Sequence, residues 1–447
     1  MKYKLSFIGV LIVFFVMPFD LSAQSVQEYS LQQLLDTAKK TNDMLIIKEY
    51  AVDQSISKLR ENKIKRYPSV MVDGSYQYNF NLPAFTVPAG TLGSVPIADG
   101  TSQLLPQQDS HFKVGDKGVY SLNLGVYQPV LQQLKMGTGQ AIDVLDIKIG
   151  QLEKQKTWLQ VGIAIEQQYY LALMAKKQIE VSNAKVALAK AKFNDGNNAS
   201  SAGKIISKDM TGLKILIDAE QLNMLKLESQ YKDCLSILGE LTNIDPAKIE
   251  LAEKSSYKRG ETLDWYRTSM DNSPDLKIAQ LDIEKAALGV KAARQSKLPD
   301  LGVLGGYSVQ KGNPILPEQT PYIGVSLKWN LQNLFSGKEM ENQRLMQLKQ
   351  AETKLKLVKD QLSASLDRAW RKVTITSASI ATAENRVEYC RDALKYQQDK
   401  MTAGMNTGSE LLQKRVELSE AESLLYQALA ESLLARAELD NMIGSSK

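Results

Sequence analysis

The chain has 447 residues, 43% of them hydrophobic but only 7% aromatic, and a formal net charge of +5. So mild a charge gives no argument for nucleic-acid binding, and one His and two Cys supply too few ligands for a metal centre or a disulfide framework. A chain of this length usually divides into about two or three globular domains, but a composition rich in Leu, Ala, Lys, Glu and Gln leans towards long helices.

Residues 1–23 read as a secretory signal: Lys2 and Lys4 give a charged start, an apolar run follows, and Leu21-Ser22-Ala23 offers a cleavage site. Its removal takes two Lys and one Asp and leaves a mature charge of +4. No Cys follows the run, so a bacterial lipid anchor is not expected. After it, no stretch is long and apolar enough for a membrane helix. Whatever this chain places in a bilayer must therefore be strands.

Amphipathic helices are predicted over residues 29–40 and 45–66. Residues 69–81 then alternate. Val70, Val72, Gly74, Tyr76, Tyr78 and Phe80 form one set, and Met71, Asp73, Ser75, Gln77, Asn79 and Asn81 the other, as in a strand with one apolar and one polar face. Residues 81–117, rich in Gly, Pro, Ser and Gln, read as a long structureless surface loop with His111 as a plain loop residue. Residues 120–130 are the return strand, in which Leu122, Leu124 and Val126 alternate with Ser121, Asn123, Gly125 and Tyr127.

The same unit recurs downstream. A shift of 231 pairs Leu45 with Leu276, Pro68 with Pro299, Val72 with Val303, Gly74 with Gly305 and Tyr76 with Tyr307. The shift falls to 201 for the return strand, residues 321–331, because the second connection, residues 311–320, is shorter. This is an internal repeat. Each hairpin is followed by a proline-free stretch, residues 139–193 and 338–401, with Leu145, Ile149, Leu152, Leu159, Ile163, Tyr170 and Leu173 at spacings of three, four and seven. At 1.5 Å per residue these are helices of about 80 and 95 Å. Polar turns at Asn194–Asn198 and at residues 402–408 are predicted to end them, with Gly196 and Gly404 as left-handed caps. Returning helices follow, the first over residues 208–242. The resulting division is a first repeat over 24–242, a linker at 243–259 and a second repeat over 260–447.

No phosphate loop, dinucleotide fingerprint or zinc-binding helix motif is present; Gly203-Lys204 is followed by Ile205. Glu420 and Glu422 read as solvated helix acids, the Asn198-Ala199-Ser200 sequon as a chance match, and Cys234 and Cys390 as buried apolar residues. The chain is not read as an enzyme, and no cofactor is expected.

Four strands per chain cannot close a membrane barrel, whose smallest form has about eight, so closure needs several copies. Two copies of helix–Pro–alternating strand, Gln128-Pro129-Val130 at the end of the second strand, and the Gly404 turn leading into Leu411-Leu412 resemble the TolC family of outer membrane efflux proteins over nearly the whole mature chain. The resemblance implies a homotrimer with a twelve-stranded β-barrel in the outer membrane, continued by a long coiled-coil α-helical barrel through the periplasm. It also implies a periplasmic membrane-fusion adaptor, an inner-membrane transporter, and passive conduction of small molecules or drugs. Type I protein secretion is the alternative cargo. A soluble periplasmic coiled-coil adaptor is the rival of another class, although it leaves the four strands without a role.

The resemblance further implies an acidic periplasmic entrance. Glu410 fits the first acidic position, neutral Gln413 departs from the second, and Asp209 is the candidate in the first repeat, where residues 199–204 are inserted. Gly196, Asn198, Gly404, Met405 and Asn406 are the implied adaptor-docking tips. The alternation places Asp73, Gln77, Asn79, Ser326 and Lys328 on the lumen side and Val70, Val72, Tyr76, Ile323, Val325 and Trp329 towards lipid.

Overall fold

The protein is seen here in a computed structural model, which describes residues 27–98, 100–202, 207–253, 261–313, 316–403 and 408–445. The signal segment, Gly404, Met405 and Asn406 lie outside the described residues. The first half holds β1 (Gln27–Tyr29), α1 (Leu31–Thr41), α2 (Asp43–Ile64), β2 (Ser69–Tyr78), β3 (Ala84–Val87), β4 (Ser94–Pro96), β5 (Ser102–Leu104), β6 (Ser110–Lys113), β7 (Gly118–Pro129), α3 (Gln132–Ser201) and α4 (Ser207–Thr242). The second holds β8 (Ile249–Leu251), α5 (Leu263–Ser269), α6 (Pro274–Gln295), β9 (Asp300–Lys311), β10 (Gln319–Lys328), α7 (Gln332–Thr402) and α8 (Gly408–Met442). Two compact units form. One comprises the described parts of residues 1–42, 160–260 and 369–439, the other those of 43–159, 261–368 and 440–447. Each unit draws on both sequence repeats, so the compact units do not coincide with them.

The second unit is built around one four-stranded antiparallel sheet in the order β10-β9-β7-β2. Pro68 and Pro299 stop the preceding helical turns, because proline lacks the N–H that a helix interior needs and disfavours helix in the residue before it. The strand roots are tied to the helices beside them. Arg66 Nε donates to Gln133 Oε1, and Gln133 Nε2 donates to the Arg66 carbonyl, both at 2.7 Å. Buried Asp143 accepts from Asn62 at 2.6 Å and faces Lys58 at 3.3 Å. In the second repeat Glu341 takes that role, between Arg294 at 2.7 Å and Lys297 at 2.9 Å.

The segment expected to be a structureless loop is instead a hairpin arm. After Asn79 N donates to the Lys117 carbonyl, β3 pairs with β6 and β4 with β5. Phe85 and Phe112 are register partners with stacked rings 5.4 Å apart. His111 accepts from or donates to Thr86 at 2.7 Å. Gly and Pro counts conceal such short ladders, since Gly90, Gly93, Gly100 and Gly115 supply positive φ at their corners.

The long helices exceed their predicted bounds. α3 has 70 residues and α7 has 71, and each begins seven or six residues before its expected start. The predicted turn at Asn194–Asn198 is helical, and exposed Asn198 accepts at its carbonyl from Ala202 N. Gly196 is therefore not a left-handed cap. A Cβ on it would stand 2.8 Å from Leu213 Cδ1 and 3.2 Å from Met210 Sδ, so it is glycine because α4 packs closely there. Packing overrides the cost of about 1 kcal/mol that glycine carries in a helix.

The core of the first unit includes Leu34, Ile165, Leu173, Leu238, Leu251 and Leu439, all essentially inaccessible. Residues 243–259 are more than a linker. Pro246–Lys248 form a 3-10 turn capped by Asp245, and β8 pairs in parallel with β1, Gln27 opposite Ile249 through Tyr29 opposite Leu251. Cys390 is buried against Val387 and Ala421; Cys234 is half-buried, its thiol pushed up chiefly by burial, and both are free.

Just past β8, Tyr169 donates to the Ala252 carbonyl and Tyr426 to the Glu253 carbonyl, while the Glu253 carboxylate meets Lys176 at 3.0 Å and Lys177 at 3.3 Å. Burial is the main cause that pushes the Tyr169 phenol up to about 12. The hydrogen bond from Lys176 holds the Glu253 carboxyl below the usual carboxylate range and raises Lys176 in return. A lowered carboxyl pKa stabilises the fold above the ordinary value and stops doing so as pH falls through the folded one. The Lys176 shift reports the same pair, so it is lost once Glu253 is protonated. Glu253→Gln is therefore expected to lower the melting temperature by about 1–3 °C at pH 7. The difference should shrink as pH falls below the ordinary glutamate value and through the folded one, which thermal melts at pH 7 and down the acid range will check.

Candidate channel surfaces

Because strand side chains alternate, the register of the sheet assigns each one a face. One face carries Val70, Val72, Tyr76, Tyr120, Leu122, Leu124, Val126, Val303, Tyr307, Val309, Ile323, Val325 and Leu327, brought together by such pairs as Val72 with Leu124, Leu124 with Tyr307, and Val303 with Val325. This apolar face lies open in the single chain: Val72 is 66% exposed, Ile323 86% and Val325 70%.

The opposite face carries Asp73, Gln77, Ser326 and Lys328, four of the five residues expected on the polar side. Asp73 stands opposite Asn123, which accepts from Ser308 at 2.5 Å; Ser75 and Ser121 share a hydrogen bond of 2.9 Å. Lys328 stands opposite Asp300. The fifth, Asn79, lies one residue past β2 and accepts from Gln77 at 2.8 Å.

This polar face also holds Tyr127, which the alternation places there, and Tyr322, which sequence reasoning did not single out. The Tyr127 ring lies over Gly302, and the Tyr322 hydroxyl over Gly306 and Gly125, glycines paired across β7 and β9. A glycine in a strand leaves a slot, and a neighbouring aromatic ring fills it. A Cβ on Gly306 would collide with the Leu124 carbonyl and the Tyr322 hydroxyl. The signal in the sequence was the glycine-rich run Gly302, Gly305, Gly306, which alternation alone leaves unexplained.

The second surface belongs to the helical unit. Lys185 pairs with Glu420 at 2.8 Å, Lys192 donates to Gln413 at 3.4 Å, and Ser409 donates to Asp195. One number rises as the other falls, with steps of seven between the first two contacts, so α3 and the start of α8 run antiparallel along a shared seam. On an adjoining face of α3, Ser182 bonds the Glu220 carbonyl at 3.2 Å and Gly196 admits Leu213, both from α4. On an adjoining face of α8, Glu410 accepts from Gln397 of α7 at 3.2 Å. Hydrogen bonding to Glu420 raises Lys185 above the ordinary lysine value.

The structure thus brings Glu410 and Gln413 into one cluster with Lys192 and Asp195, two residues missed in the sequence. Gln413 already serves Lys192 and, at 3.5 Å, Glu417. Asp209 falls in the first turn of α4, with its side chain outside the described set. Among the described residues no group of His, Cys, Asp and Glu is placed to hold a metal, and no helix is long and apolar enough to cross a membrane.

Two repeated hairpins sharing one sheet, each feeding a helix of 70 residues or more, define the fold of the TolC-type outer membrane channels. The outer membrane protein VceC of Vibrio cholerae has this fold with a TM-score of 0.70 at 13% identity, over 93% of this chain and 96% of that one. The CmeC outer membrane channel of Campylobacter jejuni aligns with a TM-score of 0.67 at 13% identity, over 93% of this chain and 85% of CmeC. The MtrE outer membrane channel of Neisseria gonorrhoeae, in its open state, gives 0.60 at 12% identity, over 93% of this chain and 89% of MtrE.

In sequence, residues 265–445 match the model of the family described as outer membrane efflux protein, the family that the two repeats resemble. The outer membrane efflux protein BepC of Brucella suis is 20% identical over 298 residues, 65% of this chain. The chain spans 64% of the length of that relative.

The glycine slots give a direct test of the sheet. Gly306→Val should destabilise the β7–β9 junction by about 1–3 kcal/mol through overpacking. Gly289→Val, on a helix where an added Cβ would meet only Arg344 Cδ at 3.8 Å, an ordinary contact, is the control. Heat-induced mobility shifts of the purified protein on gels will show the first variant melting well below wild type and the second close to it.

Proposed function

We propose that this protein is the outer membrane exit duct of a tripartite efflux pump, a passive conduit for small molecules or drugs, with its strands in the outer membrane and its helices in the periplasm. One observation carries the reading. The sheet has a continuous exposed apolar face, and its two edges, β2 and β10, have no partner strand among the described residues. In lipid, each unpaired backbone group costs several kcal/mol, so such a sheet is stable there only when copies close it into a ring. Its strands of 10 to 12 residues match the roughly 9–11 that cross a bilayer.

Three copies give twelve strands, the number the family resemblance favours over the eight of a dimer. The outer membrane efflux family supplies the rest of the reading, namely a periplasmic adaptor and an inner-membrane transporter that provides the energy. The soluble-adaptor alternative has no use for the apolar face. Mass measurement of the detergent-solubilised protein should give three protomers. The membrane fraction should keep the protein through a carbonate wash, and release by that wash would reject the duct. Cysteines introduced at Asp73, Gln77, Ser326 and Lys328 should react with a water-borne thiol reagent, and those at Val72, Ile323 and Val325 should be shielded by lipid.

At the helical end, Glu410 sits in the first turn of α8, where the helix dipole favours a carboxylate by about 0.3–1 kcal/mol. Threefold repetition makes it a ring of carboxylates whose field attracts cations. Glu410→Gln in reconstituted trimers should abolish cation preference in asymmetric salt while leaving the melting temperature within about 1 °C, because Gln397 can still bond an amide. Unchanged selectivity with a lowered melting temperature would leave Glu410 a helix cap only.

A further inference from the structure

The arm formed by residues 79–117 has no counterpart in the second repeat, where the connection between β9 and β10 is residues 312–318. Five of its exposed side chains are large and apolar, namely Phe80, Phe85, Leu92, Leu104 and Phe112, each with half or more of its surface open, while the exposed charges Asp109, Lys113, Asp116 and Lys117 lie in its returning limb. From Phe80 to Gln108 one residue is charged, Asp99. The strands already use the length that a bilayer requires, so the arm projects beyond the lipid into water, where an open apolar surface of this kind marks a contact.

We propose that the arms of neighbouring copies pack against one another and form an apolar cover over the mouth of the duct. This inference rests on the trimeric reading above. The occupant follows from where the arm is rooted. It grows out of β2, an edge strand of the sheet, so in a closed ring the next copy's β10 stands beside it; because the sequence joining β9 to β10 is only residues 312–318, the nearest element of comparable length is the next copy's arm. On its inner side the root is fixed to its own second hairpin, since Asp116 N donates to the Gly312 carbonyl at 2.9 Å. The arm holds its shape through both ladders, Phe85 stacked on Phe112, and the bond from Ala89 N to Asp109 at 2.9 Å. A surface almost without charge over nearly thirty residues suits another such surface. Residues 80–108 hold no Lys or Arg to grip the phosphates of a lipid headgroup; Lys113 and Lys117 stand nearer the root.

The experiment uses the full-length protein in a Cys234→Ser background, solubilised and reconstituted in planar bilayers. Phe112→Cys and Leu104→Cys variants should give covalently linked protomers on mild oxidation. The double variant Phe85→Ser with Phe112→Ser should raise single-channel conductance at least twofold while the oligomer mass stays that of a trimer. A trimer with no cross-links and unchanged conductance overturns the cover and leaves the duct standing. A blue shift of Phe85→Trp fluorescence on vesicles containing lipid A, without cross-links, overturns it in favour of a lipid contact. Failure to find any trimer by mass removes the duct and the cover together, and is recognised by that mass alone.

Discussion

The backbone hydrogen bonds of the sheet edges govern the structure. β2 and β10 each present a row of N–H and C=O groups with no strand beside them among the described residues, and the face between them is apolar where a soluble protein would be polar. In water the apolar face is unfavourable; in lipid the edges are. Closure of several sheets in lipid removes both penalties together, since each edge finds its complement in the next copy and the apolar face meets acyl chains. The duplicated hairpin, the tyrosine-filled glycine slots that let β7 approach β9, and the ties at the strand roots all shape the sheet for the closure proposed above.

The helical unit follows a different logic. Its inner contacts are Leu, Ile, Val and Ala at coiled-coil spacing, but the seam between α3 and α8 is polar and exposed. Exposed pairs of this kind contribute about 0–1 kcal/mol each. The seam therefore sets register more than stability, and the core around Leu34, Ile165, Leu238 and Leu439 supplies the adhesion.

Alternation, proline and repetition made the four strands legible in the sequence: β2 and β7 begin or end within about two residues of their expected positions. The face assignment of Asp73, Gln77, Ser326 and Lys328 was also legible, because period two leaves a single alternative. What was not legible depended on contacts far apart in the chain. Gly196 resembles a helix cap locally and is a packing glycine because of Leu213. The 243–259 segment resembles a linker because its strand pairs with residues more than 200 positions away. Lys192 and Asp195 carry no local signature, and only the fold sets them opposite Gln413 and Ser409. The arm was misread because two ladders of three and four residues are too short for periodicity to register.

The spacing of the α3–α8 seam has a mechanical consequence. Its one ion pair, Lys185 with Glu420, lies farther from the chain reversals than the weaker Lys192–Gln413 contact. Towards the reversals the seam continues through single exposed hydrogen bonds, Lys192 to Gln413 and Ser409 to Asp195, each worth about 0.5–3 kcal/mol. Such a seam parts contact by contact rather than all at once. The force needed falls with ionic strength, because screening acts first on charges that water already reaches.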